Sequence, residues 1–208
     1  MKRLYLLRHG QTEFNVKKLV QGRCDSPLTD LGRQQARAAA AWLKAHGVVP
    51  DKVVSSPLGR AVDTAQLIAC ELLGPDAAVE PCEGIIERSY GSFEEGPHDA
   101  LPTDVWDPGE DLIPFGGEGS QALRERMVAT LTNLMSAKDA ETLLAVSHGS
   151  ASRQFIKAAA PESFELPTKL PNCAIMIFDF EESAPQAEGE PLQCKFTLQQ
   201  IIDPQQRY

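Results

Sequence analysis

The stretch "LYLLRHGQTEFN", Leu4–Asn15, decides how the chain is read. Four apolar or aromatic residues run into Arg8-His9-Gly10, and small and polar side chains follow. A short continuous apolar run of this kind suits a strand buried on both faces. A strand that stops on an arginine next to a histidine has two readings. Either it ends at an ordinary surface turn, or it holds a working histidine at its carboxyl end. Three residues do not choose between these, so the neighbouring segments must.

Outward from this stretch the elements alternate. "LTDLGRQQARAAAAWLKAHG" reads as a helix with Thr29 as N-cap and Gly47 placed to end it. "DKVVSS" is the next strand, ending at Ser55-Ser56. Pro57 then suits a first helical turn, and "LGRAVDTAQLIACELLG" continues as a helix closed by Gly74. A short extended piece at 79–82 precedes an irregular stretch, 87–119, rich in Gly, Pro and acids. "SQALRERMVATLTNLM" carries apolar residues at helical spacing. "TLLAVS" is a strand leading into His148-Gly149, and "ASRQFIKAAA" is a short helix. "CAIMIFDF" and "KFTLQQII" read as two closing strands joined by an acidic, proline-containing loop. Strands alternating with helices define an α/β chain: a doubly wound, mostly parallel sheet with helices on both faces, and an antiparallel edge from the last pair. The whole chain, 1–208, reads as one domain with an acidic, lid-like insertion around 92–119.

Composition narrows the function. The 208 residues are 42% hydrophobic and 24% charged, as in globular chains with a sizeable core. Five widely spaced cysteines form no CxxC pair, so they read as free thiols rather than a disulfide framework or a zinc pattern. A net charge of −9 argues against nucleic acid and anionic membranes as partners. No apolar segment has transmembrane or secretory length, which makes the cytoplasm the expected location.

The strand ends answer the opening question. Arg8 and His9 follow the first strand, Arg60 lies in the turn-to-helix segment after the second, and His148 follows "TLLAVS". In doubly wound sheets the carboxyl ends of the strands form one crevice, and ligands bind there. Four cationic or potentially cationic groups converging on one rim repel one another unless an anion neutralises them. Helix N-termini after Ser56 and Gly149 would add donors for a phosphate-sized anion. Taken singly, each of these residues has an ordinary structural reading. Their order at successive strand ends is what favours an anion site.

These segments together resemble the histidine phosphatase superfamily, also called phosphoglycerate-mutase-like. "RHGQTEFN" resembles its nucleophile motif, "QGRCDSPLTDLGRQQA" the segment after it, and "SSPLGRAVDTA" its second arginine motif. "ERSYG" resembles its acid motif and "VSHGSASR" its second histidine motif, all in the family's order. "GGEGS" is similar to a further element but carries Gly119 before Ser120, and Gln11 stands where many members have Glu. The resemblance implies a metal-independent phosphomonoesterase of histidine acid phosphatase type, needing no cofactor. His9 would become the phosphohistidine, while Arg8, Arg60 and His148 clamp the phosphate and Glu87 protonates the departing alkoxide. Asn15, Thr12, Gln21, Gly22 and Gly149 would line the phosphate or substrate pocket. The implied partner is a small phosphorylated metabolite. The oligomeric state is left open, with a dimer among the options.

Two alternatives accompany this reading: a cofactor-dependent phosphoglycerate mutase, and a phospho-ligand-binding protein without turnover. Between Glu94 and Glu118 the chain carries eight acids and no Lys or Arg. An acidic lid would repel a bisphosphorylated intermediate, which favours hydrolysis. Phe93, Trp106, Leu112, Ile113 and Phe115 are interleaved with those acids. If they face the pocket, the leaving group is expected to be partly apolar or cationic. A metal site built from His9, His148 and a carboxylate is disfavoured, because the flanking arginines would repel a cation.

Overall fold

The computed structural model describes residues 2–138, 141–161, 163–183 and 193–206. Strand β1 (Lys2–Arg8) leads into a five-residue helix α1 (Glu13–Lys17), then α2 (Asp30–Ala45), β2 (Lys52–Ser55), α3 (Gly59–Leu73) and the two-residue β3 (Glu80–Pro81). After a stretch of 3-10 turns come α4 (Ser120–Ser136), β4 (Thr142–Ser147), α5 (Gly149–Ala159), β5 (Ile175–Ser183) and β6 (Gln193–Ile202). The sheet order is β3-β2-β4-β1-β5-β6. The first four of these strands run parallel, and β5 and β6 add the antiparallel edge. The α/β doubly wound expectation therefore holds.

Side-chain alternation along each strand feeds two cores. Leu4 and Leu6 of β1, Leu143 and Ala145 of β4, and Met176 and Phe178 of β5 pack with Leu123, Met127 and Leu131 of α4 and Phe155 of α5. The opposite faces, Tyr5 and Leu7, Leu144 and Val146, and Ile175 and Ile177, pack with alanines of α2 and α3 together with Leu43 and Ile68. Small alanines let those two helices lie close to the sheet, while the other face is filled by Met and Phe. The strands between them are buried on both sides, which is why they read as continuous apolar runs.

Three boundaries differ from expectation, each for a physical reason. Helix α3 starts at Gly59 rather than at Pro57. Ser56 still donates its N–H to Val146 O at 2.9 Å, so the chain stays beside β4 and turns only afterwards. Helix α5 begins two residues earlier than the alanine-rich pattern indicates, because a carboxylate from a remote loop accepts its first N–H groups (below). Helix α1 has no apolar periodicity; it exists because Thr12 and Asn15 form a reciprocal capping box. The five cysteines are free. Most of the acidic loop expected between β5 and β6 lies outside the described residues.

Candidate active site

Register brings the strand ends together. Arg8 of β1 lies opposite Ser147 of β4, and Ser55 of β2 opposite Val146. The next residues in each chain segment, His9, His148 and Ser56, therefore share one rim. His9 N–H donates to Ser147 O at 3.0 Å, which locks the first histidine to the strand that carries the second. The two imidazole centroids are 5.2 Å apart.

His9 is only 2% exposed. Its Nδ1 lies 2.7 Å from Gly10 O, and a carbonyl only accepts, so Nδ1 carries the proton and Nε2 keeps its lone pair. Burial, then the charges of Arg60 and Arg8, hold its pKa well below the usual histidine value. The same causes, in the order burial, Arg60 and then the neighbouring His9 and Arg8, keep His148 neutral. His148 Nε2 is 2.7 Å from Ser56 Oγ, while its buried Nδ1 finds no partner among the described residues.

Two buried guanidinium groups flank His9. Arg60, in the first turn of α3, is held from behind. It donates to Gly22 O at 2.7 Å, Cys24 O at 2.8 Å and Asp25 Oδ1 at 3.0 Å. Arg8 bonds to Leu170 O, and its Cζ lies 5.1 Å from the centre of the Trp106 ring. Burial pulls Arg8 down to about 10, against the opposing charge of Glu87. The Nε atoms of both arginines are buried without a partner among the described residues. With His148 Nδ1, they leave three unmet polar groups near one imidazole, a set that a phosphoryl group would satisfy.

Glu87 sits against the N-terminus of α5. Its Oε1 accepts from Arg88 N at 2.9 Å and Ala151 N at 2.8 Å, and its Oε2 accepts from Ser150 N at 3.1 Å. The neighbouring Arg88 is fully buried and ties three segments together. It donates to Ser150 Oγ at 2.9 Å, Glu118 O at 2.6 Å and Ser120 Oγ at 2.8 Å. Arg88 was not singled out from the sequence, although the acid motif contains it.

The remaining candidates divide. Asn15, Gln21, Gly22 and Gly149 wall the same cleft as Arg8, His9, Arg60 and Glu87. Gln21 Oε1 accepts two hydroxyls, from Thr12 and Ser26, which leaves its NH2 as a donor. Gly22 has φ +54°, and a Cβ there would meet the Glu94 carboxylate at 2.3 Å. A Cβ on Gly149 would meet Trp106 Cζ3 at 2.9 Å. Thr12 and His148 are not among the residues walling the cleft: Thr12 caps α1, and His148 is fully buried with its ring 5.2 Å from that of His9. Among the described residues, no group of three His, Cys, Asp or Glu could hold a metal ion, and no helix is long and apolar enough to cross a membrane.

The 92–119 segment behaves differently from the acidic lid expected. Trp106 and Val105 reach the cleft. Leu112 is buried with Val20, Tyr90 and Leu101, and Phe93 packs on that cluster. Ile113 and Phe115 are exposed. The acids turn away as well. Glu94 accepts from Tyr90 N and Cys24 N, Asp104 accepts from Trp106 N, Asp107 pairs with Lys157, and Glu118 pairs with Arg126. Glu110 accepts from Gln121 N at the start of α4, and the absence of a side chain on Gly119 admits it there.

A mostly parallel α/β sheet with two histidines and two arginines at its strand ends defines the phosphoglycerate-mutase-like class. A profile of the histidine phosphatase superfamily (branch 1) matches residues 4–190, and the chain belongs to that family of phosphatases and mutases. The probable phosphoglycerate mutase GpmB of Proteus mirabilis is 30% identical over 209 residues, covering 98% of this chain and 96% of that protein. A phosphoserine phosphatase mutant of Entamoeba histolytica, solved with phosphoserine, superposes with a TM-score of 0.72 at 28% identity, covering 99% and 98% of the two chains. A mycobacterial glucosyl-3-phosphoglycerate phosphatase solved with VO3 has a TM-score of 0.74 at 24% identity over 96% and 98%, a likeness of fold.

Proposed function

We propose that the chain is a metal-independent phosphomonoesterase that works through a phosphohistidine on His9. The observation carrying this reading is the buried His9 imidazole, neutral and with Nε2 unbonded, between two guanidinium groups whose Nε atoms have no partner among the described residues.

The chemistry follows from those groups. His9 Nε2 attacks phosphorus and the ester P–O bond breaks. Arg8 and Arg60 hold the equatorial oxygens as charge develops, which is the main contribution a protein makes to phosphoryl transfer. Glu87 Oε2, which accepts only one N–H, has a lone pair for the proton that it passes to the leaving alkoxide. The resulting carboxylate then takes a proton from water as the water oxygen attacks phosphorus and the N–P bond breaks. Phosphate leaves and His9 is neutral again. His148, Asn15 and Gln21 supply further contacts to the phosphoryl oxygens.

A mutase is the second reading, favoured by the name of the GpmB relative and by the sequence Glu87-Arg88-Ser89-Tyr90-Gly91. The repulsion that the acidic segment was expected to exert no longer counts against it, because those acids face elsewhere. Hydrolysis is preferred on the phosphatase structural relative, 28% identical over 99% of this chain. The test is a phosphomonoester panel including 3-phosphoglycerate, with free phosphate and the 2-isomer both followed. Phosphate release that vanishes in His9→Ala supports the esterase. Isomer outpacing phosphate overturns it in favour of the mutase.

A further inference from the structure

We propose that Lys169 forms an anion subsite in the wall of the cleft, selecting a leaving group that carries its own negative charge. The inference rests on the phosphomonoesterase reading and adds the leaving-group chemistry to it.

The cleft is electropositive within a chain of net charge −9. Among the described residues Glu87 is the only carboxylate in its wall, and three N–H groups already occupy it. The other charged groups there are Arg8, Arg60 and Lys169. Arg8 and Arg60 serve the phosphoryl group. Lys169 comes from a different segment, between α5 and β5, with its Nζ 5.6 Å from the Trp106 ring centre. Among the described residues its ammonium has no hydrogen bond and no ion pair. Partial burial and the charge of Arg8 pull its pKa down, a penalty that an anion in the cleft would relieve.

Trp106 explains how the lysine is held. Its ring contacts Lys169 and Arg8 together, at 5.6 Å and 5.1 Å, and so sets the lysine beside the phosphoryl-binding arginine. The indole face attracts the ammonium through its π-electrons and leaves its N–H donors for an anion. His98 stands in the same wall; its Nε2–H donates to Leu19 O at 3.1 Å, and burial, Lys169 and Lys18 keep it neutral. The eight acids of 94–118, which would have repelled an anion, do not wall the cleft. The leaving group is therefore expected to be anionic, the reverse of what the composition of that segment suggests.

Matched substrate pairs that differ by one charged group test this. O-phosphoserine against O-phosphoethanolamine, and 3-phosphoglycerate against 2-hydroxyethyl phosphate, isolate a carboxylate. Propane-1,3-diyl bisphosphate against 3-hydroxypropyl phosphate isolates a second phosphate. The wild type is expected to favour the anionic member of at least one kind by ~10-fold or more in kcat/KM, the scale of one charge-assisted contact. Lys169→Ala should collapse that ratio toward one, Lys169→Arg should keep it, and Lys169→Glu should invert it. No preference in the wild type for either kind, or a ratio unchanged in Lys169→Ala, overturns the subsite while leaving the esterase intact. If no ester is hydrolysed, p-nitrophenyl phosphate included, the esterase reading itself fails and takes the subsite with it.

Discussion

Replacing Glu87 by Gln probes the site at its most constrained point. The glutamine oxygen can take the place of Oε1 and keep the bonds from Arg88 N and Ala151 N. Its NH2 then opposes the Ser150 N–H, donor against donor, where Oε2 accepted at 3.1 Å. One charge-assisted bond is lost, about 1.5–3 kcal/mol for a buried group. In a chain of this length that lowers Tm by roughly 3–12 °C, still folded at assay temperature. The catalytic consequence differs by leaving group. An alkoxide needs a proton as it departs, and a positioned acid contributes about 10²–10⁴-fold. A p-nitrophenolate is a stable anion and needs almost none of that help. Values of kcat/KM, which report ester cleavage and not the later hydrolysis of phosphohistidine, should therefore diverge by about 100-fold or more between an alkyl phosphate and p-nitrophenyl phosphate in Glu87→Gln. If the two values fall by the same factor, Glu87 only orders the start of α5 and the proton must come from elsewhere.

Three further outcomes follow from the geometry. Gly149→Ala puts a methyl 2.9 Å from Trp106 Cζ3 and 3.4 Å from Arg8 Nε, so kcat/KM should drop while circular dichroism stays native; unchanged kinetics would mean that Trp106 moves freely. Arg88→Met removes a buried charge held by three segments, leaving the hydroxyls of Ser120 and Ser150 and the Glu118 carbonyl short of a donor. Urea unfolding should report a loss of about 3–5 kcal/mol, against little change if the site repacks. His9 and His148 are held below their unfolded pKa, so the unfolded chain binds more protons under about pH 6.5. Stability should be full above pH 7 and fall by up to about 1.4 kcal/mol per pH unit for each histidine as pH drops toward the folded values, with a shallower fall in His148→Gln. Equal slopes in wild type and variant would contradict the buried neutral state.

How much of this could be read from the sequence depends on how local each signal is. The runs at Leu4–Leu7 and Leu143–Val146 are apolar because both sheet faces are covered, so the strands and the residues just past them were legible. Arg60 was legible because it follows β2 within one turn. The start of α5 was not, since its cap is Glu87, more than sixty residues away in sequence. The orientation of the 92–119 segment was equally hidden. Its 3-10 turns impose no long period, so nothing in the spacing separates Trp106, which reaches the cleft, from Ile113 and Phe115, which do not. Lys169, His98 and Asn172 escaped notice for the same reason. Asn172 Nδ2 donates to His9 O and Asn15 Oδ1, contacts that exist only once β5 has folded back beside β1.

The most direct measurement is capture of the phosphoryl enzyme. Protein mixed with a labelled phosphomonoester and quenched in alkali should retain label on the peptide containing His9. Phosphohistidine survives base and hydrolyses in acid, so brief acid treatment should release the label. His9→Ala should retain none. Substrate turnover with no alkali-stable label, or label on any residue other than His9, would contradict an imidazole nucleophile at the end of β1.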